Sequence, residues 1–275
     1  MENKKIAVLQ IDSVLGDQQA NLRKIDEMIA GINDPGVRMA VFCEYGLSGY
    51  CTDLTKIAEP IPGSITDSLC EISKKYNIWI TGGLPEKVSE EKIANVSVMI
   101  SPKDGLVATY RKIHPFGAER EKIVYGNEPV VVDTELGKVG MSICYDLVFP
   151  EFIRGLRLKG AEIIVNSTFW YSDKYSGPLG WNSDHTLAMA TVRALENKVY
   201  VAMACRSGTE YTDDNVIRGF GYSAICDPMG TILARANLGE TVIKAEIDEE
   251  FKKKCSELPY ISDRRPEIYK KMLDF

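Results

Sequence analysis

Three residues of this sequence combine a nucleophile, a candidate base and a cation, and each of them follows an apolar run. Cys144 ends the run Gly-Met-Ser-Ile-Cys, Glu44 follows residues 39–42, and Lys112 follows residues 106–110. Open α/β folds bring the ends of their strands to one edge of the sheet, where ligands bind. A thiol at such an edge, beside the N–H groups of a following helix, can attack an electrophilic carbon. The three residues therefore suggest covalent catalysis by Cys144.

The thiol of Cys144 requires a base, because a free thiol has a pKa of about 8.5 and reacts as the thiolate. The chain has only two histidines, His114 and His185, and neither follows a strand with an obvious acidic partner. A carboxylate can serve instead if burial raises its pKa toward neutrality, and Glu44 follows a nearly continuous apolar strand. From the residues alone, two other interpretations stay open: Glu44 as a cap or ion-pair partner, and Lys112 as a solvated strand residue.

The composition argues against several other classes of protein. The net charge is −6 with both signs interspersed, which argues against a nucleic-acid partner. No apolar run approaches the ~18 residues of a membrane-spanning helix, and the short N-terminal apolar stretch is a poor signal peptide, so we expect a cytoplasmic protein. Seven cysteines without CxxC spacing and two histidines predict neither a zinc nor an iron–sulfur site. The other six cysteines are expected to be buried and structural: Cys43, Cys51, Cys70, Cys205, Cys226 and Cys255.

The elements that must position these residues follow from hydrophobic periodicity. Strand-like runs alternate with amphipathic helices and with hairpins whose turns contain Pro, Asp or Gly. This pattern favours a layered α/β fold in one domain over residues 1–275, with a mixed sheet or with two sheets between helices. Residues 256–275 have few apolar side chains and are expected to pack on a partner subunit. Predicted strands cover 5–11, 37–43, 78–82, 161–165 and 199–205; predicted hairpins pair 95–100 with 106–111, 130–133 with 139–143 and 221–226 with 231–234; predicted helices cover 21–30, 65–76, a segment from 150 to before 160, and lastly 183–196.

Three motifs of the chain resemble those of the nitrilase superfamily of carbon–nitrogen hydrolases. They are Phe-Cys-Glu-Tyr-Gly-Leu-Ser-Gly-Tyr around Glu44, Tyr-Arg-Lys-Ile-His-Pro-Phe around Lys112, and Gly-Met-Ser-Ile-Cys-Tyr-Asp-Leu-Val-Phe-Pro-Glu around Cys144. The resemblance runs the whole length and includes Arg-Ala-Leu-Glu-Asn at 193–197 and the turn Asp-Pro-Met-Gly at 227–230. Because three motifs occur in order, each at a strand end, the resemblance is specific.

This resemblance implies a fold and a set of site residues. The fold is a four-layer α-β-β-α sandwich that dimerises through its helices, and no metal or organic cofactor is needed. The implied catalytic triad is Glu44, Lys112 and Cys144, with a fourth acidic residue about seven positions after the lysine. Glu119 matches that place best, and Glu121 is the alternative.

The resemblance also implies a reaction. Glu44 takes the thiol proton, Cys144 forms a thioester, and the oxyanion binds to Lys112 and to the backbone N–H of Tyr145. Glu119 then holds the substrate or orients the other charged groups.

The residues around the nucleophile favour an amide over a nitrile substrate. Tyr145-Asp146 follows the cysteine, where true nitrilases usually have Trp-Glu. Val148 stands where the superfamily frequently has an arginine, so any contact that this arginine makes with a substrate carboxylate is not expected in this chain. Phe169 and Trp170 are candidates for lining a substrate pocket, with packing between a strand and a helix as the other interpretation.

The sequence therefore predicts a carbon–nitrogen hydrolase that releases ammonia from a small linear amide or an N-carbamoyl compound. The alternatives are a nitrilase, a catalytically silent binding or scaffold relative, and a Cys–His hydrolase that uses His185. The signatures of a carbamoylputrescine hydrolase are not found, and a glutamine-dependent synthetase would require a second, nucleotide-binding domain. The expected partners are the small-molecule amide and a second copy of the chain, with no nucleic acid and no membrane.

Overall fold

A computed structural model of the chain describes residues 4–50, 53–117 and 119–273, so Cys51 lies outside the described residues. Its strands are β1 (Lys5–Gln10), β2 (Val37–Phe42), β3 (Trp79–Lys87), β4 (Ile93–Ser101), β5 (Gly105–Arg111), β6 (Val131–Thr134), β7 (Gly137–Ile143), β8 (Ile163–Thr168), β9 (Tyr171–Ser172), β10 (Tyr200–Cys205), β11 (Thr209–Tyr211), β12 (Val216–Gly219), β13 (Ala224–Cys226), β14 (Ile232–Arg235) and β15 (Thr241–Glu246). Its helices are α1 (Gln18–Ala30), α2 (Leu54–Ile57), α3 (Ser64–Tyr76), α4 (Glu119–Lys122), α5 (Pro150–Leu158), α6 (Ser183–Asn197), α7 (Glu249–Ser256) and α8 (Pro266–Leu273), with 3-10 turns at Cys144–Val148 and Gly177–Leu179.

Most of the strands form two six-stranded mixed sheets. The first sheet has the order β15-β1-β2-β3-β4-β5 and the second has the order β14-β13-β10-β8-β7-β6. In the first sheet β1, β2 and β3 are parallel, β4 is antiparallel to β3, and β5 is antiparallel to β4. In the second sheet β7, β8 and β10 are parallel. The carboxyl ends of β2 and β5 therefore lie at one edge of the first sheet, and those of β7, β8 and β10 at one edge of the second.

The two sheets pack face to face, and helices cover both outer faces. Along β1, Ile6 and Val8 join the core between the sheets, while Ala7 and Leu9 join a second core under α1 and α3. The middle of β1, residues 6–9, is continuously apolar because both faces of the strand are buried there. Helices α5 and α6 cover the outer face of the second sheet, for example through Ala190. The predicted α-β-β-α sandwich is confirmed.

The predicted strands and hairpins are present, with ends shifted by a few residues. The largest shift is in β3, which continues beyond residue 82 to Lys87. Gly82 and Gly83 let the strand continue past β2, because there is no room for a side chain at either position. A Cβ on Gly82 would meet the ring of Phe42 at 2.3 Å, and a Cβ on Gly83 would lie 2.6 Å from Cα of Glu44. The glycine pair lets β3 lie close against the end of β2, where Glu44 emerges.

Several short or polar elements were not predicted. Strands β9, β12 and β11 form a small third sheet, and β9 has only two residues, too few for an alternating pattern. The prediction that helix 183–196 is the last one is wrong, because α7 and α8 follow it. The sequence of α7 is rich in charge, and its start depends on the Asp248 side chain, which accepts the N–H of Phe251 at 2.8 Å. No helix within the described ranges is long and apolar enough to span a membrane.

Candidate active site

Cys144 lies at the junction between β7 and the 3-10 turn that follows it. Its φ is 44°, a left-handed conformation that costs a non-glycine residue about 1–2 kcal/mol. Only 6% of the residue is exposed. Oδ2 of Asp146 accepts the N–H of Ile143 at 2.9 Å, which ties the turn to the strand before it. The chain thus turns sharply at the cysteine and then enters α5, as the sequence predicts.

Asp146 is fully buried and connects this turn to the loop after β5. Its Oδ2 accepts the hydroxyl of Tyr110 at 2.7 Å, and its Oδ1 lies 2.8 Å from Nδ1 of His114. The ring of His114 stacks on Phe149 at 3.9 Å between centroids. The sequence shows no obvious acidic partner for His114, and the fold supplies one by bringing in Asp146 from 32 residues along the chain. The pair supports the turn that carries Cys144.

Lys112, directly after β5, binds two carboxylates at once. Its Nζ lies 2.7 Å from Oε1 of Glu44 and 2.8 Å from Oε2 of Glu119. All three residues are buried, with 1%, 3% and 6% of Lys112, Glu44 and Glu119 exposed. Glu121 lies on the exposed side of α4. The structure therefore brings Glu119, and not Glu121, to the lysine.

Two polar residues that were not predicted as site residues complete this cluster. Nδ2 of Asn95 donates to Oε1 of Glu44 at 2.8 Å and to Oε1 of Glu119 at 2.9 Å. The hydroxyl of Tyr45 donates to the same oxygen of Glu119 at 3.1 Å. Asn95 lies in β4, all of whose residues are buried, and a lone amide in a buried apolar strand is the signal that could have identified it.

Burial and charge oppose each other in this cluster. Burial disfavours the ammonium of Lys112, but Glu44 and Glu119 outweigh burial, so the pKa of Lys112 lies well above its usual value. Burial acts to raise the pKa of Glu119, but the Lys112 charge and hydrogen bonds bring it below the usual value. Burial and the charge of Glu44 raise the pKa of the Cys144 thiol, against the effect of Lys112. The resting site thus holds an ammonium, a carboxylate and a protonated thiol.

The second oxygen of Glu44 is bound by the other sheet. The N–H of Phe169, directly after β8, donates to Oε2 of Glu44 at 3.0 Å. The next residue, Trp170, is buried in the hydrophobic core, where its ring packs against Trp181 at 5.8 Å between centroids. The structure therefore brings Phe169 to the site and Trp170 to the core beside it, and a role of either in substrate binding stays a prediction.

A set of aromatic rings lies beside the charged cluster, and we call it the aromatic collar. Ring centroids lie 5.1 Å apart for Tyr145 and Phe116, 6.4 Å for Phe116 and Tyr171, and 5.2 Å for Tyr171 and Phe169. Tyr50 closes the collar against Phe169 at 5.9 Å and against Tyr171 at 6.1 Å. The rings come from the segments after β2, β5, β7 and β8. Tyr50 and Tyr171 lie close enough to Glu44 to feel its charge, so the collar borders the charged cluster.

Two residues that bear on the alternatives lie outside this cluster. Within the described residues His185 is exposed in the first turn of α6 and stacks on Trp181 at 5.3 Å, away from the buried charges. Val148 ends the turn after the nucleophile, and its carbonyl accepts Nη2 of Arg193 at 2.9 Å. Neither contact indicates a catalytic role for His185 or Val148.

The remaining described cysteines are structural in their setting. Cys43, Cys205, Cys226 and Cys255 are buried as predicted, whereas the prediction is wrong for Cys70, which is partly exposed on α3. Burial raises the pKa of Cys43 and of Cys226 to about 12, which makes both thiols poor nucleophiles. In the described part of the chain, no group of three or more His, Cys, Asp or Glu side chains is placed to hold a metal ion.

An α-β-β-α sandwich that gathers a cysteine, a lysine and two glutamates at the edges of both sheets defines a hydrolase of the nitrilase type. The chain belongs to the carbon–nitrogen hydrolase family, whose sequence pattern matches residues 5–253.

Named amidases are among its relatives, and so is a probable nitrilase of Schizosaccharomyces pombe, to which the chain is 31% identical over 98% of each chain. The chain is 32% identical to omega-amidase NIT3 of Saccharomyces cerevisiae, over 96% of this chain and 94% of the relative. It is 27% identical to the deaminated glutathione amidase of Homo sapiens, over 96% of this chain and 83% of the relative. The crystal structure of yeast Nit3, a member of branch 10 of the nitrilase superfamily, superimposes with a TM-score of 0.83 at 30% identity and covers 96% and 97% of the two chains. A mutant of the Nesterenkonia sp. AN1 amidase in complex with acrylamide gives a TM-score of 0.82 at 21% identity, covers 99% and 98% of the two chains, and supports the fold alone.

Proposed function

We propose that this chain is an amidase that hydrolyses a small linear amide through a thioester on Cys144. The observation that carries the proposal is the buried cluster at the edges of the two sheets. Lys112 joins Glu44 and Glu119 at 2.7 and 2.8 Å, and the thiol of Cys144 is close enough to feel the charges of both Lys112 and Glu44. This set supplies a nucleophile, a base and a cation in one water-poor site.

In the first half of the reaction Glu44 is the base. The thiol of Cys144 has a raised pKa, so it reacts only as its proton is removed, and Glu44 takes that proton while sulfur attacks the carbonyl carbon. The negative charge on the carbonyl oxygen is stabilised by Lys112 and by the backbone N–H of Tyr145, and one such donor typically contributes ~10²–10³ in rate. The C–N bond then breaks, Glu44 protonates the leaving ammonia, and the acyl group remains on sulfur.

In the second half water releases the acid. Glu44 accepts a proton from the water that attacks the thioester, the C–S bond breaks, and the sulfur recovers a proton from Glu44. Glu119 keeps Lys112 charged and fixed throughout, together with Asn95, which binds both glutamates. No redox step or group other than water is required.

Two further observations support an amide as the substrate. Tyr145-Asp146 follows the nucleophile, where true nitrilases usually have Trp-Glu. The names omega-amidase and deaminated glutathione amidase belong to several of the relatives, while one relative is named a probable nitrilase. An N-carbamoyl compound has the same reacting carbonyl and nitrogen, so it belongs in the same substrate panel.

We also propose that the chain is one domain that forms a homodimer through its outer helices, as the resemblance to the superfamily implies. Apolar side chains exposed on these helices, Leu158 of α5 and Val192 of α6, support this surface. Sedimentation equilibrium at micromolar concentration tests the proposal, and a monomer throughout the concentration range would contradict it.

Ammonia release from a panel of small amides, ureido acids and nitriles tests the proposed reaction. We expect turnover of at least one amide or ureido acid, faster than of the matching nitrile, and complete loss in Cys144→Ala. Cys226→Ala is the matched control, because Cys226 is a buried cysteine of β13 and should leave turnover unchanged. Full activity in Cys144→Ala would disprove the mechanism. If no compound is turned over and Cys144 is alkylated no faster than the other cysteines, the chain is a silent relative.

A further inference from the structure

An ion pair that the reaction does not use directly lies buried beside the site. Arg206 follows β10 and Glu210 lies in β11, and their side chains contact each other with only 1% and 6% exposed. Desolvating two charges is costly, and an apolar pair of similar size is often equally stable. Stability alone therefore does not explain the pair, and its other contacts are informative.

Glu210 holds the main chain of the aromatic collar. Both of its carboxylate oxygens lie 3.1 Å from the backbone N–H of Tyr50. Tyr50 comes six residues after Glu44, and its ring contacts Phe169 and Tyr171 in the collar. Hydrogen bonds to an ionised acceptor are about twice as strong as neutral ones, so Glu210 fixes the segment after β2 at Tyr50.

Arg206 holds the residue that binds the base. Its guanidinium carbon lies 3.8 Å from the ring centroid of Phe169, within the range of a cation–π contact. The backbone N–H of Arg206 donates to the carbonyl of Thr168 at 3.1 Å, which fixes the residue before Phe169. The N–H of Phe169 in turn binds Oε2 of Glu44. The guanidinium therefore acts on Glu44 through a single intervening residue.

We propose that Arg206 and Glu210 are positioning residues, which together fix Tyr50 and Phe169 and thereby aim Glu44 at the thiol of Cys144. The proposal rests on the proposed function, since Glu44 is taken as the base. A shift of about 1 Å in a catalytic group can reduce the rate by about 10²-fold, so a pair one residue removed from the base affects turnover.

The decisive variant replaces both charges with apolar side chains of similar size, Arg206→Met with Glu210→Leu. We expect the melting temperature to stay close to that of the wild type, because no buried charge is left unpaired. We expect kcat to fall about 10–10²-fold with a smaller change in KM, and Cys144 to be alkylated more slowly by iodoacetamide at pH 7. The rate of alkylation reports how well the thiol loses its proton, which a purely structural role would not change.

A matched pair elsewhere in the chain provides the control. Arg38, near the start of β2, and Glu135, in the turn between β6 and β7, form a partly exposed ion pair at 3.0 Å, at the end of β2 opposite to Glu44. Arg38→Met with Glu135→Leu removes the same two residue types and should leave kcat and the alkylation rate unchanged.

If the double variant does not fold, Arg206→Lys decides the question, because lysine keeps a positive charge for Glu210 but loses the planar face over Phe169. The proposal is overturned if the double variant or Arg206→Lys folds and keeps both the kcat and the alkylation rate of the wild type. The alkylation assay needs no substrate. If the wild type hydrolyses no amide, the proposed function fails, while slower alkylation of Cys144 in the variants still supports the positioning role.

Discussion

The backbone N–H of Phe169 and Oε2 of Glu44 lie 3.0 Å apart, and this hydrogen bond joins the two sheets across the candidate active site. The other oxygen of Glu44 binds Lys112, so the two oxygens have separate donors. Glutamine cannot satisfy both donors, because its amide nitrogen would face an N–H on one side.

Glu44→Gln should therefore abolish most turnover while the protein stays folded. We expect kcat to fall by about 10²–10⁴-fold, the usual contribution of a positioned base. Ammonia release and a melting curve measure the two effects. Glu121→Gln, on the exposed side of α4, is the control and should keep full activity. A Glu44→Gln enzyme that keeps wild-type kcat would exclude Glu44 as the base.

Asn95→Asp should shift the pH dependence of the reaction. The substitution keeps the shape of the side chain but places a third carboxyl group beside Glu44 and Glu119, and like charges raise carboxyl pKa values. The acidic limb of kcat/KM should therefore move to higher pH. Asn95→Leu, which removes the hydrogen bonds without adding charge, should lower kcat with a smaller shift. An unmoved limb in Asn95→Asp would mean that Asn95 does not contact the titrating base.

Asp146→Asn should destabilise the turn that carries Cys144. Oδ2 of Asp146 accepts hydrogen bonds from Ile143 and Tyr110, and Oδ1 accepts two from His114. The amide nitrogen of an asparagine would face two of these donors and could accept from neither. We expect a loss of about 1–3 kcal/mol in the free energy of unfolding, measured by urea denaturation. Tyr110→Phe, which removes one donor and leaves Asp146 intact, should cost about 1 kcal/mol. Equal stability of Asp146→Asn and wild type would contradict this role.

Lys112→Met should change how stability depends on pH. The lowered pKa of Glu119 stabilises the fold above the ordinary carboxyl pKa of about 4.3, and this stabilisation is lost as the pH falls through the folded value. The raised pKa of Lys112 stabilises the fold below about 10.4, and this contribution is lost as the pH rises through the folded value.

Without the lysine, Glu44 and Glu119 are two buried carboxylates that repel each other until they are protonated. The difference in melting temperature between wild type and Lys112→Met should therefore be largest near pH 7 and shrink as the pH approaches the carboxyl range. Lys138→Met removes a lysine from a largely exposed pair with Asp133 and should show no such trend. A difference that stays constant with pH would contradict the coupling.

The parts of the site that the sequence predicts are those with a local signal. Glu44, Lys112 and Cys144 each follow an apolar run, and each strand end is visible without knowledge of the fold. Glu119 could be ranked above Glu121 only by resemblance, and the ion pair with Lys112 is a tertiary contact.

The unpredicted parts are contacts between distant segments. Asn95 meets Glu44 from 51 residues along the chain, and Phe169 meets Glu44 from 125 residues along it. The acidic partner of His114 and the ion pair of Arg206 have no motif, because they are specified by the packing of one sheet on the other. The two-residue strand β9 forms only because β12 lies beside it.

The groups to which we assign catalytic roles stand on separate sheets, with Glu44 and Lys112 at strand ends of the first and Cys144 at a strand end of the second. The distance between the proposed base and nucleophile therefore depends on how the two sheets pack against each other. A substitution in the core between the sheets, such as at Val41 or Met141, would shift one sheet relative to the other without changing any reacting group. Such a variant would lose turnover while its circular-dichroism spectrum stayed native. Activity would therefore detect a change in sheet packing that unfolding measurements miss.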